Sequence, residues 1–214
     1  MNPQSDPPTA CGRSPSLGDS KINKNGEEKM MRIITGIARG MKLETPAGDA
    51  TRPTDERVKE AVFSMIQFEI EGRRVLDLFA GSGQLGLETL SRGAQSAVFV
   101  DADKAATDVI KRNAQKVKLY DKCNVLTTDY KLFIRGAKNT QKFDIIFLDP
   151  PYDSDMMFDA LKRICDVGII EVNGIIVCES DRETPIVYGG LELARHARYG
   201  KKYISLLRNV GGEK

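Results

Sequence analysis

Histidine occurs once in the 214 residues, at His196. One imidazole cannot supply the paired ligands of a histidine metal centre, and no metal site is expected. It also argues against a histidine-activated nucleophile. Cysteine is sparse: Cys11, Cys123, Cys165 and Cys178 are scattered and form no Cys-x-x-Cys pair. That pattern fits reduced thiols in a cytoplasmic protein better than a disulfide framework or a zinc site. No apolar run approaches the roughly 18 residues that span a bilayer. The N-terminus lacks the charged-then-apolar pattern of a secretion signal, so the expected location is the cytoplasm, with no membrane partner. A large excess of one charge is missing too, with 32 Lys and Arg against 30 Asp and Glu. A nucleic-acid partner would have to be held by local basic clusters.

What is present describes a globular chain with an extension. Hydrophobic residues make up 41% and charged residues 29%, as in ordinary folded domains. Residues 1–30 are rich in Pro, Ser, Asn, Gly and charge and hold almost no bulky apolar side chains. Such a segment cannot offset its ordering entropy by burial, so a disordered tail is expected, with Met31 a candidate for the true first residue.

From Met31 the pattern changes. Arg32–Thr35 and Met41–Glu44 read as two short strands of a hairpin around Gly36–Gly40. Arg32, Arg39 and Lys42 give it positive charge without an acid, which fits either a solvated face or RNA contact. Pro46-Ala47-Gly48 is a turn. Thr54 is a candidate N-cap for an amphipathic helix reaching about Phe68, with Arg52 and Arg57 at its start, where an anion is welcome. Residues 31–70 are thus expected to form a small extension ahead of the main domain, residues 71–214.

Strands and helices then alternate. Strands are expected at Arg74–Phe79, Ala97–Asp101, Asn124–Thr127, Phe143–Leu148 and Gly174–Glu179. Helices are expected at Gln84–Arg92, Lys104–Leu119, Tyr130–Arg135 and Met156–Cys165. This is the signature of a parallel, doubly wound α/β sheet. Leu191–Arg198 and Tyr203–Arg208 flank a turn at Gly200-Lys201-Lys202 and add a terminal antiparallel hairpin.

Two stretches carry chemistry. After the first strand, Gly81, Gly83 and Gly86 spell G-x-G-x-x-G, and Asp101 closes the next strand. The spacing fits a dinucleotide site. Asp77, upstream of the glycines, would repel a pyrophosphate but suits an ammonium group. Asp129, at the end of the third strand, can accept from an adenine amino group. Acids at the ends of three strands therefore favour S-adenosylmethionine, although Asp101 and Asp129 could instead only cap helices.

The second stretch is Asp149-Pro150-Pro151-Tyr152, where the fourth apolar strand stops. Two prolines cannot continue a ladder. They fix a carboxylate, a carbonyl and an aromatic ring at a strand's carboxyl end, where open α/β sheets bind ligands. An aromatic amine is a weak nucleophile because its lone pair is delocalised into the ring. Acceptors on its two N–H bonds, supplied by the Asp149 carboxylate and the Pro150 carbonyl, would favour a pyramidal nitrogen. Tyr152 would stack on an extruded base.

Together these residues resemble a class I S-adenosylmethionine-dependent methyltransferase. Asp149-Pro150-Pro151-Tyr152 resembles the [DNS]-P-P-[YFW] motif of enzymes that methylate exocyclic amino groups. With Met31-Arg32-Ile33-Ile34, Thr51-Arg52-Pro53-Thr54, Arg57–Ala61 and Val75–Gly83, the chain after residue 30 resembles the RsmD-like family of 16S rRNA guanine-N2 methyltransferases. Residues 1–30 have no counterpart there, and Asp101 stands where many relatives carry Glu. The resemblance implies a Rossmann-like fold with a mostly parallel seven-stranded sheet, and a monomer acting on 16S rRNA or a 30S assembly intermediate. The implied catalytic residues are Asp149, Pro150, Pro151 and Tyr152. Those around S-adenosylmethionine are Asp77, Phe79, Ala80, Gly81, Gly83, Asp101, Ala102, Asp129 and Tyr130; those on RNA are Arg32, Arg39, Arg52 and Arg57. The rival readings are a DNA adenine-N6 methyltransferase, for whose recognition insertion the chain has no room, an NAD-dependent dehydrogenase, and a non-catalytic assembly factor.

Overall fold

The computed structural model describes residues 31–46, 56–151 and 155–211. The tail, the Ala47-Gly48 part of the turn, Thr54 as a cap, Arg52 and Tyr152 lie outside them. Residues 31–214 form one compact unit.

Among the described residues seven strands make one sheet: β1 Arg74–Asp77, β2 Ser96–Asp101, β3 Cys123–Thr127, β4 Phe143–Leu148, β5 Ile170–Ser180, β6 Leu191–Tyr199 and β7 Lys202–Asn209. Their order is β3-β2-β1-β4-β5-β7-β6. The first five are parallel, and β7 runs antiparallel to both neighbours. The expected doubly wound sheet and its terminal hairpin are both present. Among the described residues five α-helices cover the sheet: α1 Glu56–Met65, α2 Gln84–Ser91, α3 Lys104–Lys116, α4 Tyr130–Gly136 and α5 Met156–Val167.

Alternation along the strands divides the core into two layers. Val75, Phe99, Ile145, Phe147 and Val177 pack with α1, α2 and α3 through Phe63, Leu87, Leu90 and Ile110. Leu76, Val100, Ile146, Leu148 and Cys178 face the other way, against Phe133 and Ile134 of α4 and Leu161 and Ile164 of α5. Strands buried on both faces need the continuous apolar runs that the sequence shows.

Two expectations need correction. Arg32–Thr35 and Met41–Glu44 do pair as a hairpin, through the antiparallel bridge of Arg32 to Lys42 and the bonds Ile33 N to Met41 O at 2.9 Å, Leu43 N to Met31 O at 2.8 Å and Gly40 N to Ile33 O at 2.8 Å, but they do not extend into regular strands. Beyond Ile33 the backbone donors find other partners. Ile34 N and Thr35 N donate to the Glu88 carboxylate at 2.6 and 2.9 Å, and Ile37 N donates to Ser91 O at 2.9 Å. The segment is a strap bound to α2. β5 also starts at Ile170, before the expected Gly174. Asn173 adopts a φ of 62°, and the pairing with β4 shifts register between Phe143 and Ile145. Asn-Gly inside this strand therefore marks a kink and not its beginning.

The chain leaves β1 towards β2 and β3, then returns to place β4 on β1's other side. This reversal opens a crevice at the carboxyl ends of β1 and β4, the place where such sheets take ligands.

Candidate active site

A cavity of about 430 Å³ occupies that crevice. Its walls include Asp77, Phe79, Ala80, Gly81, Asp101, Ala102, Asp129, Tyr130, Asp149, Pro150 and Pro151. The glycine turn and the Asp-Pro-Pro stretch, remote in sequence, thus border one space. Gly83 does not line it.

Each acid is held by local backbone. Asp77 ends β1, is buried, and its Oδ2 accepts from Gly86 N at 3.0 Å. Burial pushes its carboxyl up to about 7; the neighbouring Asp149 and Asp101 charges add to the rise, and the Gly86 hydrogen bond opposes it. A cation in the cavity would restore the ionised form. Asp101 Oδ2 accepts from Gly81 N and Oδ1 from Asp103 N, each at 2.9 Å. The N-cap of α3 is Asp103, not Asp101. Asp101 instead ties the end of β2 to the glycine turn. Asp129 does cap α4, accepting from Lys131 N at 2.8 Å. A carboxylate has about four acceptor positions, so Asp101 and Asp129 keep capacity for a ligand beside these roles.

The glycines divide the work. Gly81 and Gly83 have φ of 53° and 77°, a left-handed backbone that favours glycine. Gly86 has no such conformation; a Cβ there would lie 2.3 Å from Phe99 Cε1, so its role is close helix–strand packing. Tyr130 packs its ring 5.2 Å from that of Phe79. Its hydroxyl donates to Asp159 Oδ2 at 2.8 Å, and burial together with that bond pushes the phenol up. This ring is a wall, not a proton donor.

Several wall residues were not foreseen: Met31, Thr45 and Pro46 of the strap, Gln84 and Leu85 of α2, Thr128, and Met156 of α5. Gln84 is notable because its Oε1 is buried without a hydrogen-bond partner. Such an atom costs free energy unless a donor arrives. Asn113, fully buried on α3, was also missed. Its Nδ2 donates to Ser82 O in the glycine turn and to Glu44 O in the strap, each at 3.0 Å, and its Oδ1 accepts from Glu44 N at 2.8 Å. A polar residue inside the apolar stripe Ala106, Val109, Ile110, Ala114 was the available signal.

The arginines lie elsewhere. Arg32, Arg39 and Arg57 are exposed and none lines the cavity. Arg32 Nε donates to Glu56 Oε1 at 3.0 Å. Among the described residues no helix is long and apolar enough to cross a membrane, and no group of His, Cys, Asp and Glu could hold a metal ion.

Comparison with known proteins gives a consistent picture. The family model described as "Conserved hypothetical protein 95" matches residues 31–208. YlbH of Bacillus subtilis is 39% identical over 184 residues, covering 85% of this chain and 100% of its own. A Haemophilus influenzae protein named ribosomal RNA small subunit methyltransferase D is 34% identical over 168 residues, covering 78% and 87%. The solved structure of Escherichia coli yhhF matches with a TM-score of 0.75 at 32% identity, over 84% of this chain and 98% of that one.

Proposed function

Because the chain belongs to the family described as Conserved hypothetical protein 95, the RsmD family, with the class I methyltransferase fold, we propose that it methylates ribosomal RNA, transferring the methyl group of S-adenosylmethionine to the exocyclic N2 of a guanine in the small-subunit 16S rRNA. The relatives named for rRNA methylation support the substrate class. The observation that carries the reading is the shared cavity: Asp149, Pro150 and Pro151 border the same space as Asp77, Gly81, Asp101 and Asp129.

The residues present fit the methyl donor. The ammonium of its amino acid end would be held by the buried Asp77 carboxylate and the unpartnered Gln84 Oε1. Asp101 offers acceptors to a ribose diol and Asp129 to an adenine amino group, with Phe79, Ala80, Gly81, Ala102 and Tyr130 as the surrounding walls and Gly83 shaping the turn. S-adenosylmethionine, when bound, supplies an electrophilic methyl on a sulfonium sulfur. The chain's part is to present the nucleophile. The Asp149 carboxylate and the Pro150 carbonyl accept the two N–H bonds of the guanine amino group and expose its lone pair. The two prolines fix that carbonyl, so little reorganisation is needed. Asp149 then takes the released proton or passes it to water. Tyr152 stacks on the extruded base.

Arg32, Arg39, Arg52 and Arg57 hold RNA phosphates beside the strap, whose Met31, Thr45 and Pro46 form one lip of the cavity. The protein works as a monomer in the cytoplasm on 16S rRNA or a 30S assembly intermediate. Residues 31–70 are the RNA-facing extension of the methyltransferase domain, residues 71–214. The test is tritiated methyl transfer to unmodified 30S particles followed by nucleoside analysis. N2-methylguanosine is expected; label in N6-methyladenosine, or none in RNA, overturns the reading.

A further inference from the structure

The strap is one lip of the cavity, and the opposite lip leads onto α5 through Met156. Two residues further along α5, Phe158 is exposed, and the Arg182 guanidinium lies 5.8 Å from its ring centre. Arg182 belongs to the connection between β5 and β6. His196 pins that connection to the terminal hairpin: its Nε2 donates to Glu183 O at 2.9 Å, while Nδ1 and Ser205 Oγ share a hydrogen bond of 3.0 Å. The His196 ring stacks on Tyr203, with centres 5.6 Å apart and planes 5° from parallel. The Arg198 guanidinium lies 5.6 Å from the other member of that stack, Tyr203.

Strand direction places all of this at the active-site end of the sheet. Leu148 of β4 pairs with Cys178 of β5, and Ser180 pairs with Tyr203 at the start of β7. The turn at Gly200 and Lys201 therefore projects from the same sheet edge as Asp149. Alternation settles the face. Ser205 pairs with both Cys178 and His196, and Cys178 belongs to the α5 layer. His196, Arg198 and Tyr203 accordingly share the side that carries Phe158.

The sequence has no acid between Glu192 and Glu213, while Arg195, Arg198, Lys201, Lys202 and Arg208 fall in that interval. Lys202 is held inward, 2.9 Å from the Glu179 carboxylate. Arg198 and Lys201 are exposed at the tip. The acids Asp181 and Glu183 flank Arg182, so the positive character of the surface is concentrated on the hairpin. Cations set against aromatic faces, at the same end of the sheet as the cavity, match a strand with phosphates outside and bases inside.

We infer that the β6–β7 hairpin tip, with Arg198, Lys201 and Tyr203, and the adjoining Arg182–Phe158 pair form a docking ledge for the RNA backbone that flanks the target nucleotide. This rests on the reading of the protein as an RNA methyltransferase and adds a second RNA contact, across the cavity from the strap.

Arg195 provides an internal control. It lies on the same strand but pairs with Leu206, which belongs to the α1–α3 layer, so it occupies the opposite face. Arg198→Glu and Arg195→Glu change net charge equally. Methyl transfer to unmodified 30S particles, and binding to a 16S rRNA transcript across a KCl series, are measured for both and for Lys201→Glu, a turn residue. S-adenosylhomocysteine binding by calorimetry monitors the fold. Arg198→Glu and Lys201→Glu are expected to raise KM for the particle about tenfold at unchanged kcat and to make the salt slope shallower by about 1. Arg195→Glu is expected to stay within about twofold of the parent. Equal behaviour of the Arg195 and Arg198 variants beside a parent that methylates RNA overturns the ledge alone. A parent that transfers no methyl to RNA overturns the functional reading and the ledge with it.

Discussion

Lys59 Nζ lies 3.7 Å from Glu88 Oε2, and both side chains are fully buried. The pair joins three elements. Lys59 of α1 donates to Arg32 O in the strap, and Glu88 of α2 accepts from Ile34 N, Thr35 N and Arg92 Nε. Burial holds the Lys59 ammonium below its ordinary pKa, and the Glu88 charge is the main force opposing that. Removing Glu88 would strand a buried ammonium and two backbone N–H groups. Glu88→Ala is expected to cost about 3–5 kcal/mol in urea unfolding. Lys59→Met, which leaves Glu88 its Arg92 partner, should cost less.

Asp149→Ala tests the chemistry alone. Losing one preorganised acceptor at the reacting nitrogen should lower kcat at least about 100-fold. S-adenosylhomocysteine affinity, measured by calorimetry, should stay close to that of the parent. Near-normal turnover would remove Asp149 from the mechanism.

Asp77 gives a pH signature whose sign follows from its raised carboxyl. Between the ordinary value of 3.8 and about 7, the native chain holds a proton that the unfolded chain has released. Native stability therefore falls as pH rises through that window. Asp77→Asn, which keeps an acceptor for Gly86 N, should flatten this slope in thermal unfolding. Binding of the cationic donor has the opposite sign, because it needs the ionised carboxylate: affinity should climb as pH approaches about 7. The Asn variant should lose that climb along with affinity.

Two glycines separate folding from binding. Gly86→Ala would drive a methyl into the buried Phe99 ring and should destabilise by about 1–3 kcal/mol. At Gly81 nothing lies within 4 Å of a built Cβ, although φ is 53°. Gly81→Ala should cost only about 1 kcal/mol of stability while weakening cofactor binding, since the residue lines the cavity. Denaturation and calorimetry on both variants check the contrast.

Periodicity made most of the fold legible. β4 was expected at Phe143–Leu148 and lies there; the other strands and helices differ mainly at their ends. The parallel order and the terminal hairpin follow from alternation and turn chemistry. The hairpin of the strap was legible but its shortness was not, because the Ile34, Thr35 and Ala38 N–H groups find partners in Glu88 and Ser91, far along the chain. The start of β5 was missed because the left-handed Asn173 and the register shift beside it interrupt the strand's apolar run. In the site, acids at strand ends were visible because strand ends are visible. Gln84 and Glu88 were not, because what matters about them is burial, and a polar residue on a helix does not by itself announce which way it faces; Asn113 betrays itself only by its place in the apolar stripe of α3.

The adjacency of β1 and β4 also bears on how this protein comes into being. Synthesis delivers the glycine turn early and Asp149 much later, with β2 and β3 in between. Until β4 threads in beside β1, the nascent sheet has an open flank and half a reaction centre. The pairing is non-local, and such contacts form slowly. The reaction centre is therefore complete only after β4 has paired with β1.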